Sequence, residues 1–165
     1  MYFGNMPNEG GFLLLNFDEA NEAISKYNVD PKFIRPFIGS QEFINSKERR
    51  CIWIKDNEYN EAKLNPWLME RFNSVENKRN SSDRKTTKEL AKFPYRFGEV
   101  RQNGDERSIV IPGVSSENRD YLPVGIVESG TIIGNKNFAI FNGPLWNMAL
   151  LASRLHWVWI ATVCV

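Results

Sequence analysis

Short apolar runs and helical spacing of hydrophobic residues alternate in the first half of the chain. Phe12–Leu15 and Arg50–Lys55 are short runs rich in large apolar residues, and each predicts a strand. Asp18 precedes a segment that begins with acidic residues. Asp18 is therefore the predicted N-cap of a helix over Glu19–Tyr27, since the side chain of a capping residue accepts one of the free N–H groups in the first turn. A helical turn is predicted after Asp30.

The longest helical pattern begins at Pro66 and continues to Asn80. Its apolar residues recur on one face with a period close to 3.6, and proline is favoured in a first turn. The polar tract that follows predicts a continuation of the helix to Ala91, and the pattern ends before Pro94. Residues 39–44, by contrast, predict a loop or a turn.

The second half of the chain predicts strands separated by glycine turns, followed by an apolar helix. The strands are predicted over Ser108–Ile111, Tyr121–Val127, Thr131–Ile133 and Asn137–Phe141, and the helix from Leu145 to about Val158. A length of 165 residues fits one domain with a substantial core. The predicted fold class is therefore α+β, a single domain over residues 1–165 with a mostly antiparallel sheet and several packed helices.

Composition and charge narrow the class of protein. Aromatic residues make up 13% of the chain, which excludes a disordered tail, and the net charge of +1 excludes a strongly basic, histone-like protein. The charge is uneven, however, with a net of −4 over residues 1–30 and +4 over residues 71–107. This asymmetry fits either a polyanion-binding segment or a pair of solvated helices.

The chemistry-bearing residues favour binding over catalysis. The one histidine, His156, lies in an apolar helical segment, and the sequence has neither a Gly-x-Ser-x-Gly elbow nor a glycine-rich phosphate loop. We therefore expect no catalytic residue and no metal site in this chain. Without a signal peptide or an apolar run long enough for a bilayer, we expect a cytoplasmic protein with no membrane association. The apolar end of the sequence predicts a fragment of a longer polypeptide.

A polar loop between two predicted strands is the first candidate binding site. The strand that ends at Ile111 is followed by Ser115, Ser116, Asn118 and Arg119. Loops that strands present to solvent often carry binding groups, and serine, asparagine and arginine side chains read base edges in nucleic acids. These four residues are our candidates for base readout. The alternative is a polar turn whose side chains cap their own backbone, with Arg119 as part of the framework.

Basic residues near aromatic ones are candidates for contacts with phosphate groups. Arginine and lysine supply the sequence-independent part of DNA binding, and aromatic side chains lie beside several of them. The alternative for each one is a solvated surface residue. The candidates are Arg35, Arg49, Arg79, Arg84, Lys85 and Arg96.

Six short motifs follow one another in a fixed order over nearly all of the chain. They are GNMPNEGG at residues 4–11, FIRPFIGSQEFI at 33–44, RRCIWI at 49–54, KFPYRF at 92–97, IP with VSSENRDYLP at 111–123, and LASRLHW at 151–157. In this order they resemble the target-recognition domain of MmeI-type enzymes, which combine DNA restriction and adenine methylation in one polypeptide.

The resemblance implies a non-catalytic, sequence-reading module that binds double-stranded DNA and works beside the methyltransferase core of the same polypeptide. In that family the core carries an Asn-Pro-Pro-Tyr motif and binds S-adenosylmethionine. The only Asn-Pro here is Asn65-Pro66, followed by Trp67, so the resemblance places the cofactor in the parent protein and none in this chain. Whether the parent is an endonuclease as well stays open.

A second hypothesis comes from the abundant tryptophan and phenylalanine and the near-neutral net charge. These features also fit a protein-interaction or scaffolding domain that uses an aromatic surface. A contiguous basic face would favour DNA binding, whereas a flat aromatic patch would favour a protein partner.

Overall fold

The computed structural model of the protein describes residues 1–116 and 118–163. The chain contains both helices and strands. The strands are β1 (Tyr2–Phe3), β2 (Leu14–Leu15), β3 (Ile34–Ile38), β4 (Arg50–Ile52), β5 (Ser108–Pro112), β6 (Gly125–Val127), β7 (Ile132–Ile133) and β8 (Asn137–Phe141). The helices are α1 (Phe17–Ser25), α2 (Ser40–Asn45), α3 (Tyr59–Ala62), α4 (Pro66–Asn80), α5 (Lys85–Glu89), α6 (Leu145–Ala152) and α7 (Arg154–Val163). The α+β class is confirmed.

The chain divides into two compact units. The first, called the sheet unit here, consists of Met1–Gly4, Ile38–Lys47 and Arg101–Val165. The second, called the helical unit, consists of Asn5–Phe37 and Glu48–Val100. Both units are therefore assembled from segments that are distant in sequence.

The sheet unit is built on four antiparallel strands in the order β1-β8-β5-β6. β5 lies between two partners and pairs with β8 over five positions, from Ser108 opposite Phe141 to Pro112 opposite Asn137. All five residues of β5 are buried, which explains the apolar run in the sequence. The core contains the completely buried side chains of Val110, Ile133 and Ala139.

A buried glutamine stabilises β7 from within the sheet unit. The Gln102 side chain donates from Nε2 to the Thr131 carbonyl at 2.9 Å, and its Oε1 accepts the Ile133 N–H at 2.8 Å. One amide thus satisfies a donor and an acceptor of the same backbone segment.

The helical unit is organised around α4. Asn65 caps this helix, since its Oδ1 accepts the N–H groups of Trp67 and Leu68, and Pro66 occupies the first turn. In the same unit β4 pairs antiparallel with β2 and β3. The predicted start of α4 at Pro66, and the existence of β2 and β4, are confirmed.

Some predicted elements were wrong, and local hydrogen bonds explain why. Asn16, not Asp18, caps α1: its side chain accepts the Glu19 N–H, and the Glu19 carboxylate accepts the Asn16 N–H in return. Residues 40–45, predicted as a loop or turn, form α2, which begins after Gly39 and ends at Ser46 in the left-handed region.

Two predicted helices are interrupted. The helix expected to continue to Ala91 breaks after Asn80 and resumes as α5. The last helix breaks at Ser153, whose backbone is extended and whose Oγ accepts the His156 N–H at 3.1 Å. A serine in this position caps a new helix, so it divides one apolar pattern into two helices. Among the described residues, no helix is both long and apolar enough to cross a lipid bilayer.

Candidate nucleic-acid interface

The segment of residues 113–124, called the reading loop here, joins β5 to β6 in the sheet unit. Its first residue is fixed closely: the Gly113 N–H donates to the Lys136 carbonyl at 2.9 Å. A side chain at Gly113 would place its Cβ only 2.8 Å from the same oxygen. The Lys136 carbonyl also accepts the Ser40 hydroxyl, and Ser40 in turn contacts the buried Asn137 side chain. The loop therefore starts from a tightly hydrogen-bonded base.

The four candidates for base readout all lie in the reading loop. Ser116 closes a local turn, in which its Oγ and carbonyl accept the N–H groups of Asn118 at 3.2 Å and Arg119 at 3.3 Å. Ser116, Asn118 and Arg119 are exposed. Ser115 is half-buried, and its Oγ is buried without a hydrogen-bond partner in the described part of the chain. Glu117 lies outside the described residues.

This geometry combines the two sequence-based interpretations. Ser116 uses its hydroxyl to cap its own backbone, as a polar turn does. The side chains of Asn118 and Arg119 have no hydrogen bond or ion pair among the described residues, so the turn presents them to solvent. An amide and a guanidinium with unused donors and acceptors are the groups that make bidentate contacts to base edges.

Arg79, one of the six predicted phosphate contacts, is instead enclosed by the helical unit. Its side chain is 1% exposed, and its guanidinium donates only to backbone carbonyls. The acceptors are the carbonyl oxygens of Pro7, Asn8, Leu90, Phe93 and Arg96, at 2.7–3.5 Å. Burial lowers the pKa of this guanidinium, and the nearby Glu9 carboxylate opposes that effect. In this arrangement Arg79 connects three chain segments and has no donor directed to a phosphate group.

Three other predicted phosphate contacts are half-buried in the helical unit, and two of them are engaged with neighbouring side chains. Arg96 forms an ion pair with Asp56, with Nε 2.7 Å from one carboxylate oxygen and Nη2 2.8 Å from the other. Hydrogen bonding to Tyr95 raises the pKa of Arg96. The guanidinium of Arg49 lies over the Phe37 ring at 5.7 Å. Arg35 is half-buried on β3, and its Nε is buried without a hydrogen-bond partner among the described residues.

Arg84 and Lys85 differ from these residues, because both are exposed and their side chains form no ion pair in the described part of the chain. Among other basic residues of the helical unit, Lys26 pairs with Glu22, Lys32 with Glu61 and Arg71 with Glu19. The exposed lysines around α5 share the unpaired state of Arg84 and Lys85. They are Lys78, Lys88 and Lys92. Unpaired cations are therefore concentrated over residues 78–92.

A polar pocket of about 410 Å³ opens within this basic segment. It lies between the turn at Asn8–Gly10 and the end of α4 with the start of α5. Its lining residues are Asn8, Glu9, Gly10, Lys78, Arg79, Ser81, Ser82, Arg84 and Thr87. Gly10 has a φ of +78°, and an added Cβ would come within 2.9 Å of the Lys78 side chain, so this turn requires glycine.

The spacing of residues along α4 indicated that Arg79 is buried, although its charge suggested an exposed position. Leu68, Phe72, Val75 and Arg79 are the buried residues of α4, and they are separated by four, three and four positions. This spacing places all four on one face of a helix, so Arg79 belongs to the buried side. Lys78, one position away, lies off that face and is exposed, and the sequence-based list of phosphate contacts omitted it.

The only Asn-Pro sequence of the chain has a structural use. Besides capping α4 through Oδ1, Asn65 donates from Nδ2 to the carbonyls of Tyr27 at 2.8 Å and Asn28 at 3.3 Å. With both ends of its amide occupied by backbone groups, Asn65 does not fit the role of an asparagine that holds a substrate base. The described residues also contain no group of three or more potential metal ligands.

Comparison with known proteins identifies the family of this chain. The family model for the MmeI target recognition domain matches residues 1–165. DNA methyltransferase A of Bacillus subtilis strain 168 is 39% identical over 163 residues, which are 99% of this chain and 18% of that protein. The chain belongs to the MmeI target recognition domain family.

A solved structure agrees with this assignment. The type IIL restriction-modification enzyme MmeI, determined in complex with DNA, superposes with a TM-score of 0.88 and 32% sequence identity. The match covers 94% of this chain and 21% of the MmeI chain. This MmeI-family domain thus spans about a fifth of the length of each of these two relatives.

Proposed function

We propose that this domain reads the sequence of double-stranded DNA, mainly in the major groove, on behalf of a DNA methyltransferase polypeptide. The observation that carries the proposal is the reading loop, whose Asn118 and Arg119 side chains are exposed and unpaired among the described residues. Asparagine reads adenine and arginine reads guanine through paired hydrogen bonds. The matching MmeI structure, which was determined with DNA, supports a nucleic-acid partner.

The proposed roles follow from exposure and pairing. Ser115, Ser116, Asn118 and Arg119 are the base-reading group, with Asn118 and Arg119 as its main members. Arg84 and Lys85 contact phosphates directly, because their charges are exposed and unpaired. Arg35, Arg49 and Arg96 stay secondary candidates for phosphate contact, because each is half-buried or engaged with a neighbour. Arg79 is left out, since its donors are consumed by carbonyl groups.

Methyl transfer belongs, in this proposal, to another part of the polypeptide. That part binds S-adenosylmethionine and carries the catalytic motif, while the present domain supplies target selection and no cofactor. The length of the two relatives, each about five times that of this chain, leaves room for such parts. The proposal includes a cytoplasmic location, where a polypeptide that modifies chromosomal DNA meets its substrate.

A domain exchange tests this function. The matching segment of DNA methyltransferase A is replaced by the present chain, and methylated sites are mapped across the genome of a host that expresses the chimera. The methylated motif should follow the inserted domain. A matched second chimera carries the same domain with the reading loop of DNA methyltransferase A, and its motif should change at the base pairs that the loop contacts.

Two results would contradict the proposal. One is that both chimeras methylate the same motif, which would show that the reading loop does not determine the target. The other applies if the chimeras do not methylate DNA: the 165-residue chain is then titrated with duplex and single-stranded oligonucleotides over a range of salt concentrations. Salt-independent binding, or a preference for the single strand, would argue against recognition of a duplex.

One observation favours a second function, contact with another protein surface. The apolar helices α6 and α7 have no buried residue, and Trp146 and Trp159 are 65% and 57% exposed. Their exposed large apolar side chains are Leu145, Trp146, Leu150, Leu155, Val158, Trp159 and Val163. An exposed apolar surface of this kind marks an interaction site. We propose that α6 and α7 contact protein, while the reading loop contacts DNA.

A further inference from the structure

We propose that the polar pocket of the helical unit binds one phosphate group of the DNA backbone. This inference rests on the proposed function and deepens it, because it identifies a built site rather than a general basic surface. The pocket is lined by three cations and one carboxylate, a net charge of +2. An anionic ligand with several oxygen acceptors is the chemical class that such a lining attracts.

The charge in the pocket is divided between fixed and available groups. The Glu9 carboxylate accepts the N–H groups of Gly11 and Leu13, and the Arg79 guanidinium is used by backbone carbonyls, so both belong to the framework. Lys78 and Arg84 have no ion pair in the described part of the chain. Their two positive charges are therefore the ones available to a ligand.

Hydroxyl groups complete the donor set. The Ser82 Oγ accepts the Arg84 N–H at 3.2 Å, which leaves its own hydrogen for a ligand. The Thr87 hydroxyl, which is half-buried, has no hydrogen-bond partner among the described residues. Ser81, by contrast, donates to the Lys78 carbonyl at 2.9 Å and belongs to the wall. Two cations and two hydroxyl donors around one cavity match the oxygens of a phosphodiester.

The walls of the pocket are held in place by the same network that encloses Arg79. Its Nε hydrogen bond to Asn8 joins the turn at residues 8–10 to the last turn of α4. The pocket is thus formed before a ligand arrives, so binding does not require ordering of the chain. The helix dipole of α4 favours a basic residue in its last turn, which accounts for a lysine at position 78. The dipole does not account for an arginine at position 84, because Arg84 lies beyond α4 and precedes α5.

A titration with inorganic phosphate tests the site in the 165-residue chain. Amide chemical shifts of Gly10, Ser81 and Ser82 are followed by NMR as phosphate is added through the millimolar range. We expect saturable shifts at these amides, and Arg84→Gln or Lys78→Gln should weaken phosphate binding about tenfold, because a charge-assisted hydrogen bond is lost. Lys88→Gln is the matched control: it removes an exposed, unpaired cation that does not line the pocket.

A second titration uses a short DNA duplex and separates a backbone phosphate from a free anion. The duplex should shift the same amides, and the Arg84→Gln variant should lose about one unit of the log–log salt slope for duplex binding. The absence of saturable phosphate-dependent shifts would overturn the pocket. So would duplex-dependent shifts that occur only elsewhere in the chain, although the proposed function would then stand. If phosphate binds but the duplex shifts no amide anywhere, the backbone assignment and the proposed function both fail.

Discussion

Arg79 and Asn8 are 71 positions apart in sequence, and the Arg79 Nε donates to the Asn8 carbonyl at 3.0 Å. The same guanidinium reaches the carbonyls of Leu90, Phe93 and Arg96, so one buried side chain holds the N-terminal turn and residues 90–96 against α4. A lysine offers a single ammonium with three donors and cannot reproduce this planar arrangement. Arg79 is therefore a structural residue of the pocket, whose guanidinium donors are used by backbone carbonyls.

The hydrogen bonds of Arg79 should contribute strongly to the stability of the fold. Arg79→Lys should lower the free energy of unfolding by about 3 kcal/mol or more, because several buried carbonyls lose their donors. Urea denaturation of the 165-residue chain measures the change. Arg84→Lys is the control, since an exposed site away from the core changes stability by about 0.5 kcal/mol or less. Equal stability of the two variants would show that the Arg79 hydrogen bonds contribute little.

Replacement of the reading side chains should alter target choice and leave stability unchanged. Asn118→Ala and Arg119→Ala, each placed in the methyltransferase chimera, should each make the methylated motif degenerate at one base pair. A lost bidentate contact costs about 1–3 kcal/mol of discrimination. Methylated-site mapping reads the motif, and the melting temperature of each variant is the control. A lower melting temperature with an unchanged motif would identify Arg119 as framework instead.

Salt dependence should report the phosphate contacts. The five exposed, unpaired cations over residues 78–92 predict a log–log slope near −4 to −5 for duplex binding, at about 0.9 per phosphate. Lys85→Ala should make this slope less steep by about one and weaken binding to every sequence alike. Fluorescence anisotropy at several salt concentrations gives the slope. Lys26→Ala is a suitable control, because Lys26 already pairs with Glu22, and a similar loss in this variant would refute the assignment of Lys85.

Cys51 should be chemically inert in the folded chain. It is completely buried, and burial raises the pKa of its thiol. The thiolate is the reactive form, so a Cys164→Ser variant should not react with a thiol reagent at pH 8 until it unfolds. The thiol pKa is higher in the folded chain than in the unfolded chain. The free energy of unfolding should therefore be unaffected by this thiol below about pH 8.5. Above that pH it should fall by at most about 1.4 kcal/mol per pH unit, because the thiol ionises only in the unfolded chain. Rapid labelling of folded protein would contradict this burial.

The surface of α6 and α7 should promote association of the isolated chain. Trp146→Ser with Trp159→Ser removes two exposed aromatic side chains and should reduce self-association in sedimentation velocity at high concentration. The melting temperature should change little, because neither helix contains a buried residue. Association that is unaffected by the double substitution would exclude these helices as the contact surface.

Regular patterns made much of the fold predictable. α4 was predicted to begin at Pro66, as observed, because a proline in the first turn and a 3.6-residue period agree there. The failures occurred where one side chain decides the outcome. Ser153 divides an apolar helix by accepting a backbone N–H, and Asn16 caps α1 two residues before the predicted cap. Such competition between local hydrogen bonds is not visible in a hydrophobic pattern.

The sequence indicated where the candidate site lies, but it indicated less well which basic side chains are available there. The reading loop was identified from its polar residues between two apolar runs, and the structure presents three of its four candidates to solvent. Charge alone did not separate Arg84, which is unpaired, from Arg79 and Arg96, which are occupied by carbonyls and by Asp56. The pairing of Arg96 with Asp56 joins residues far apart in sequence, so only the fold could reveal it, whereas the helical spacing of α4 already indicated the burial of Arg79.

If the reading loop selects the target, as proposed, the way in which it is attached bears on how this domain could acquire a new one. Twelve residues separate Pro112 from Gly125, while the five-residue register of β5 is made with β8, a strand that this loop does not join to it. Closing a loop of twice the length costs only about 0.6 kcal/mol more. Insertions and exchanges of side chains can therefore accumulate between these two strands with little loss of stability. Under the proposed function, specificity can thus vary in this loop while the strand pairing of the sheet is kept.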